Sequence, residues 1–129
     1  MRMSIVSVEY ENNHIYITGN TSIGSIKGEW CCKGCPTLGA TYFFELNIGE
    51  LDRNDVSVIY DVQDEPCVYC KENQVWFKGI CEEIDDVYII RFSYDWIEMI
   101  SIKDDDFSIK KGDMVLFAIE YDSVGVYAY

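Results

Sequence analysis

Two cysteine pairs have the spacing in this chain that most readily supports chemistry. Cys32-Lys33-Gly34-Cys35 and Cys67-Val68-Tyr69-Cys70 are both C-x-x-C, with Cys31 beside the first pair and Cys81 apart from both. Two such pairs can supply four thiolates to a tetrahedral zinc ion at about 2.3 Å. Local chemistry opposes this. Cys35 is followed by Pro36 where a knuckle needs a small residue, and Asp64 and Glu65 disfavour thiolate formation near Cys67. The alternative is that these are reduced, partly buried thiols acting as small apolar side chains, as expected outside oxidising compartments. The expectation is therefore a chain without a cofactor, with structural zinc on Cys32, Cys35, Cys67 and Cys70 as the alternative.

Catalytic patterns are sparse. The single histidine, His14, follows Asn12-Asn13 at a turn and has no nucleophile motif with it. The nine glycines are scattered singly, so no phosphate-cradling loop or Walker-type lysine is present. The acids form two dense runs, Glu82-Glu83-Ile84-Asp85-Asp86 and Asp104-Asp105-Asp106. Neither has the ligand spacing or turn glycine of a calcium loop.

Charge is the stronger signal. The 129 residues carry a formal −13, and the excess is uneven: residues 1–40 hold three acids and three bases, leaving twenty acids and seven bases in the remainder. Such a field repels nucleic acid and anionic membrane surfaces, which excludes direct binding to either. It attracts a basic protein, with tyrosine and tryptophan from the 15% aromatic content available as contact anchors. Glu82, Glu83, Asp85, Asp86, Asp104, Asp105 and Asp106 are the candidate partner-binding acids.

In size, charge and class, though in no motif, the chain resembles the immunity proteins of bacterial toxin systems, or nucleic-acid-mimicking inhibitors. That resemblance implies a non-catalytic inhibitor covering a basic nuclease-type toxin. The alternatives are a zinc-stapled adaptor and, further off, a carboxylate-based enzyme. A pocket holding a carboxyl of raised pKa would favour the enzyme. The first nine residues include a short apolar run, but Glu9 and Glu11 interrupt it, and no stretch reaches bilayer length. The expected location is the cytoplasm.

The elements that must position these residues read as strands. Tyr42, Phe44, Leu46 and Ile48 alternate with polar neighbours, as do Val56-Val58-Tyr60-Val62, Val75-Phe77 and Tyr88-Ile90-Phe92-Tyr94. Met114 to Tyr121 is apolar on both faces, the pattern of a central strand covered on both sides. Ser4–Tyr10 and His14–Thr18 flank Asn12-Asn13 as an opening hairpin. Asp95 to Ile102 is the best helical candidate, although Ile97, Ile100 and Ile102 suit a strand equally well. Gly19 to Gly39 is the least strand-like stretch. The expected fold is one domain over residues 1–129. It is all-β, or β-dominated α+β, a small antiparallel barrel or sandwich of about eight short strands. The expected core includes Phe44, Leu46, Val58, Phe77, Ile90, Phe92, Phe117 and Ile119.

Overall fold

The computed structural model describes residues 1–61 and 63–129; Val62, the last position of one expected strand, lies outside them. Strand accounts for 62% of the chain and helix for 5%, the helix being two 3-10 turns, so the fold is all-β. In chain order the strands are β1 (Arg2–Glu11), β2 (His14–Thr21), β3 (Gly24–Trp30), β4 (Thr41–Ile48), β5 (Leu51–Asp52), β6 (Val56–Ile59) and β7 (Cys67–Lys71). They continue with β8 (Gln74–Ile84), β9 (Tyr88–Ser93), β10 (Trp96–Ile100), β11 (Ile102–Lys103), β12 (Met114–Glu120) and β13 (Val124–Ala128). The two 3-10 turns are Arg53–Asp55 and Tyr121–Ser123.

Five strands close a barrel in the order β1-β2-β3-β13-β4 and back to β1. All its pairings are antiparallel except β3 with β13, where Glu29 stands opposite Gly125. The expected opening hairpin is present: Asn12 and Asn13 take φ of 47° and 67°, the two positive values a tight primed turn requires. The alternation in β4 holds, with Phe44 buried, Tyr42, Leu46 and Ile48 half-buried, and the residues between them exposed.

A second layer grows from the barrel through β3, whose Gly24 pairs with Val68 of β7. The long β8 is its spine. One edge of β8 pairs with β12, which pairs in turn with β6; the other edge is shared by β7 and then β9, and β10 follows β9 at the margin. The buried residues form one cluster spanning both layers, with Phe77 and Phe92 in ring contact with each other and each with Phe117 and Trp96. Of the expected core, Phe44, Phe77, Ile90, Phe92, Phe117 and Ile119 are buried, while Leu46 and Val58 pack half-buried against it.

Three expectations are corrected. Gly19 to Gly39 is not loop from end to end: β3 and the end of β2 lie in it, joined by a turn at Ser22 and Ile23, and the irregular stretch is residues 31–40. The alternation there, Ile26-Gly28-Trp30, is hidden by a glycine, which is needed because a Cβ at Gly28 would lie 2.7 Å from the Val124 carbonyl oxygen. Asp95 to Ile102 forms β10 and the start of β11, as its branched side chains favour. The strands also exceed eight: the described residues form thirteen, eleven in the main sheet and two short pieces, β5 and β11, that pair in parallel outside it. Among the described residues no helix is long and apolar enough to cross a membrane.

Candidate functional site

Sheet pairing sets the site on the solvent face of the second layer. Residues opposite each other across neighbouring strands share a face. Leu116 of β12 stands opposite both Ser57 and Lys78, and Ala118 opposite Trp76, which itself faces Tyr69. The expectation that β12 is covered on both sides is corrected accordingly. Val115, Phe117 and Ile119 are buried, but Met114, Leu116 and Ala118 are only half-buried, because no further layer packs over them among the described residues.

This face floors a groove of about 760 Å³. Trp76 lies on it with its ring stacked on Tyr69, centroids 6.1 Å apart and planes 3° from parallel. Glu50, Asp52 and Asp55 line the groove on the β5 side and Glu120 at the end of β12, and no lysine or arginine lines it. Gln74 donates to Glu120 Oε1 at 3.4 Å, and Asp52 accepts the Asn54 N–H at 3.0 Å, capping the first 3-10 turn. Lys78, on the same face, is tied to Asp64 at 2.6 Å, and that bond raises its pKa. The arrangement can take an elongated cationic group: carboxylates on the rim, apolar and aromatic carbon beneath.

The expected acidic clusters lie together at one end of the molecule. Tyr88, opposite Ile84 across the β8–β9 hairpin, donates its hydroxyl to Asp105 at 2.6 Å, so the Asp104–Asp106 loop abuts the hairpin whose turn carries Asp85 and Asp86. The seven acids are not equivalent. Glu82 is paired with Arg91. Asp106 accepts from the Ser108 hydroxyl at 2.6 Å and from Arg53 at 2.9 Å, and these bonds pull its carboxyl down to about 2. Burial, reinforced by the Asp105 carboxylate, pushes Tyr88 up to about 12. Glu83, Asp85, Asp86 and Asp104 have no such bond from a side chain among the described residues, and all four are exposed. Arg53 belongs to the same 3-10 turn as Asp55, so its pair with Asp106 joins this acidic end to the groove rim.

Tyr88 and Asp105 therefore hold structure. Tyr88→Phe is expected to cost about 1–3 kcal/mol, the usual worth of a hydrogen bond to a charged group that is left unsatisfied. Urea midpoints of Tyr88→Phe, Asp105→Asn and the double variant check this, and additive losses would show that the two side chains do not act as a pair.

The four cysteines of the zinc alternative are not brought together. Cys67 and Cys70 are three apart on a strand, which sends their side chains to opposite faces. Cys32 bonds the Ala128 backbone through its sulfur, Cys35 is exposed in the 31–40 loop, and all six thiols are free. Among the described residues no three His, Cys, Asp or Glu side chains converge as a metal centre requires. His14 bonds Glu29 at 2.5 Å at the barrel surface.

One carboxyl stands out beyond these. Glu98 of β10 sits half-buried in a second groove and accepts the Trp96 indole N–H at 2.9 Å. Burial, with Glu45 nearby, pushes it up to about 7. The sequence gives little sign of it or of Glu50, Asp55 and Glu120, since none belongs to a consecutive acidic run and only the fold sets Glu120 beside the 50–55 segment.

Fold and grooves together define the class: an all-β barrel protein whose main sheet continues into a second layer with an acid-rimmed groove on its open face. No protein-family model, no curated protein and no solved structure matches this chain.

Proposed function

We propose that this protein is a non-catalytic acidic binder that covers a basic protein partner, in the manner of an immunity or inhibitor protein acting on a nuclease-type toxin. The observation that carries this reading is the groove over β12 and β8. Glu50, Asp52, Asp55 and Glu120 ring an apolar floor, and no cation lines it. Steering and anchoring are then divided. The −13 field speeds encounter, and Trp76 and Leu116 supply the desolvated contact from which most binding energy comes. The exposed acids at the β8–β9 end extend the field without being needed for the fold. The six free thiols favour a reducing location, the cytoplasm, and no cofactor takes part in this function.

The test is capture of a partner on the immobilised protein, then stopped-flow association with it at two salt concentrations. The expected partner is basic. Its on-rate should fall about tenfold or more between low and physiological salt, as screening removes the steering field. Glu50→Gln/Asp55→Asn should lower the on-rate, and Trp76→Ala should raise the off-rate. An acidic partner, or rates indifferent to salt and to all three changes, would overturn the proposal.

Glu98 is the one feature that favours the carboxylate enzyme, since a carboxyl titrating near neutrality is poised to act as a general acid. It lines the second groove, which shares no lining residue with the acid-rimmed one, and a different property of that groove has a more direct use.

A further inference from the structure

Among the described residues β10 pairs along one edge only, with β9, and β4 from Glu45 to Ile48 pairs only with β13. These two bare edges face each other across a groove of about 470 Å³. Consecutive residues line it on both sides, Phe44 to Ile48 and Asp95 to Met99, so main chain as well as side chain borders the space. Both ends are closed. At one end β5 and β11, which follow β4 and β10, pair in parallel, and the Leu51 N–H donates to the Ser101 carbonyl at 2.9 Å. At the other, the Met1 carbonyl accepts the Phe44 N–H at 3.4 Å while the Met1 amine pairs with Asp95 at 3.1 Å. Phe44 and Trp96 meet edge to face across the floor, centroids 5.4 Å apart. The result is a slot between two strands that a third could fill.

Unpaired strand edges offer main-chain donors and acceptors to any extended chain. β10 carries none of the proline or lysine that usually blunts an edge, and it exposes Ile97 and Met99 at the mouth, at 42% and 66%. The charge of the slot is one-sided: Glu45, Asp95 and Glu98 line it, no lysine or arginine does, and only Asp95 is offset, by the Met1 amine. We propose that the slot between β4 and β10 takes an extended segment of a basic partner, which adds as a strand to the free edge of β10 and sets a lysine or arginine against Glu98 and Glu45. This rests on the acidic-binder reading for the sign of the partner's charge, and on the slot alone for the mode of binding.

The groups facing Glu98 are Glu45 from β4, the Asp95–Met1 pair at the closed end and the Trp96 indole on its own strand; Tyr129, which lines the same groove, donates its hydroxyl to Glu45 at 3.4 Å. A cation in the slot should therefore bind better as pH rises through 7, where Glu98 ionises.

The probe is a blocked heptapeptide of alternating valine and threonine with one central lysine, added to the full chain and followed by amide hydrogen exchange resolved by residue. Saturating peptide is expected to slow exchange about tenfold or more at those amides of β10 and of Glu45–Ile48 that point into the slot, since these change from solvent-exposed to paired, while the amides already bonded to β9 or β13 report little change. A backbone N-methylated peptide should give no protection. Affinity should rise from pH 6 to pH 8, and Glu98→Gln should remove that rise. Absence of protection at millimolar peptide, or equal protection by the N-methylated form, overturns strand addition. Protection in the peptide-free protein that grows with its own concentration would make the occupant a second copy and overturn the proposal as well. Glu50→Gln/Asp55→Asn, which alters only the other groove, should bind the peptide unchanged, so failure of the slot and failure of the acid-rimmed groove are separate results. Preference for a glutamate-centred peptide would overturn both together.

Discussion

Glu98→Gln is expected to stabilise the protein by about 2 kcal/mol at pH 8 and to leave its stability almost unchanged at pH 4. The Glu98 carboxyl titrates near 7 in the folded chain against an ordinary value of 4.5, chiefly because burial disfavours its charge. Below the unfolded value both states hold the proton and nothing is lost. As pH rises from there the unfolded chain releases its proton first, so stability falls until the folded carboxyl has ionised near 7, after which the loss is complete. At about 1.4 kcal/mol per unit the full shift is worth roughly 3 kcal/mol, and the partial exposure of the side chain reduces this to about 2. Glutamine keeps an oxygen for the Trp96 indole and carries no charge at any pH. Urea unfolding of both proteins at pH 4, 6 and 8 isolates the effect from the other acids, because only the difference between them is read. Parallel stability curves would show that Glu98 titrates as an ordinary carboxyl.

Gly24→Ala is expected to cost about 3 kcal/mol or more, the largest loss from adding one methyl group. Gly24 takes φ of +136°, where side-chain-bearing residues are strained, and a Cβ there would lie 1.7 Å from the Val68 carbonyl oxygen. Neither strain can relax cheaply, because the obstacle is backbone. The position is also the join between the barrel and the second layer: Gly24 pairs with Val68, and the Val68 N–H donates to the Ile23 carbonyl at 3.1 Å. Faster amide exchange along β7 should accompany the fall in urea midpoint. Gly49→Ala is the control, with nothing within 4 Å of its added carbon and an expected change within about 0.5 kcal/mol. Equal midpoints for the two variants would show that the join is soft.

Where a side chain repeats its environment every second residue, the strand was legible: Tyr42 to Ile48 and Tyr88 to Phe92 needed nothing beyond their own pattern. Asn12-Asn13 likewise announced its turn, since few other pairs accept two positive φ values. β8 was seen only at Val75-Phe77. It runs on to Ile84 through a register shift between Cys81 and Glu83 that breaks the period. The outer face of β12 looked like core because apolar composition records what a surface could bury and not whether a layer covers it. The acids divide in the same way. Consecutive runs were visible, but Arg53 and Arg91, which occupy Asp106 and Glu82, lie far along the chain or across a hairpin. Of the four rim acids, Glu50, Asp52 and Asp55 lie close together in the chain, and only the fold brings Glu120 at the end of β12 to the same groove. The C-x-x-C spacing suggested a metal site because it presumes a turn at each pair, whereas Cys67–Cys70 lies in an extended strand.

The place of β13 bears on how the molecule is made. It is the stave that closes the barrel, with Gly125 opposite both Glu29 and Asn47, yet it is the last strand in chain order. During synthesis β1 to β4 emerge early and must wait, with one edge of β3 and one of β4 open, until residues 124–128 leave the ribosome. Such distant pairing folds in milliseconds to seconds rather than microseconds. A nascent chain stalled ahead of β13 would therefore hold two sticky edges that the finished barrel hides, and chaperone demand should concentrate in that interval.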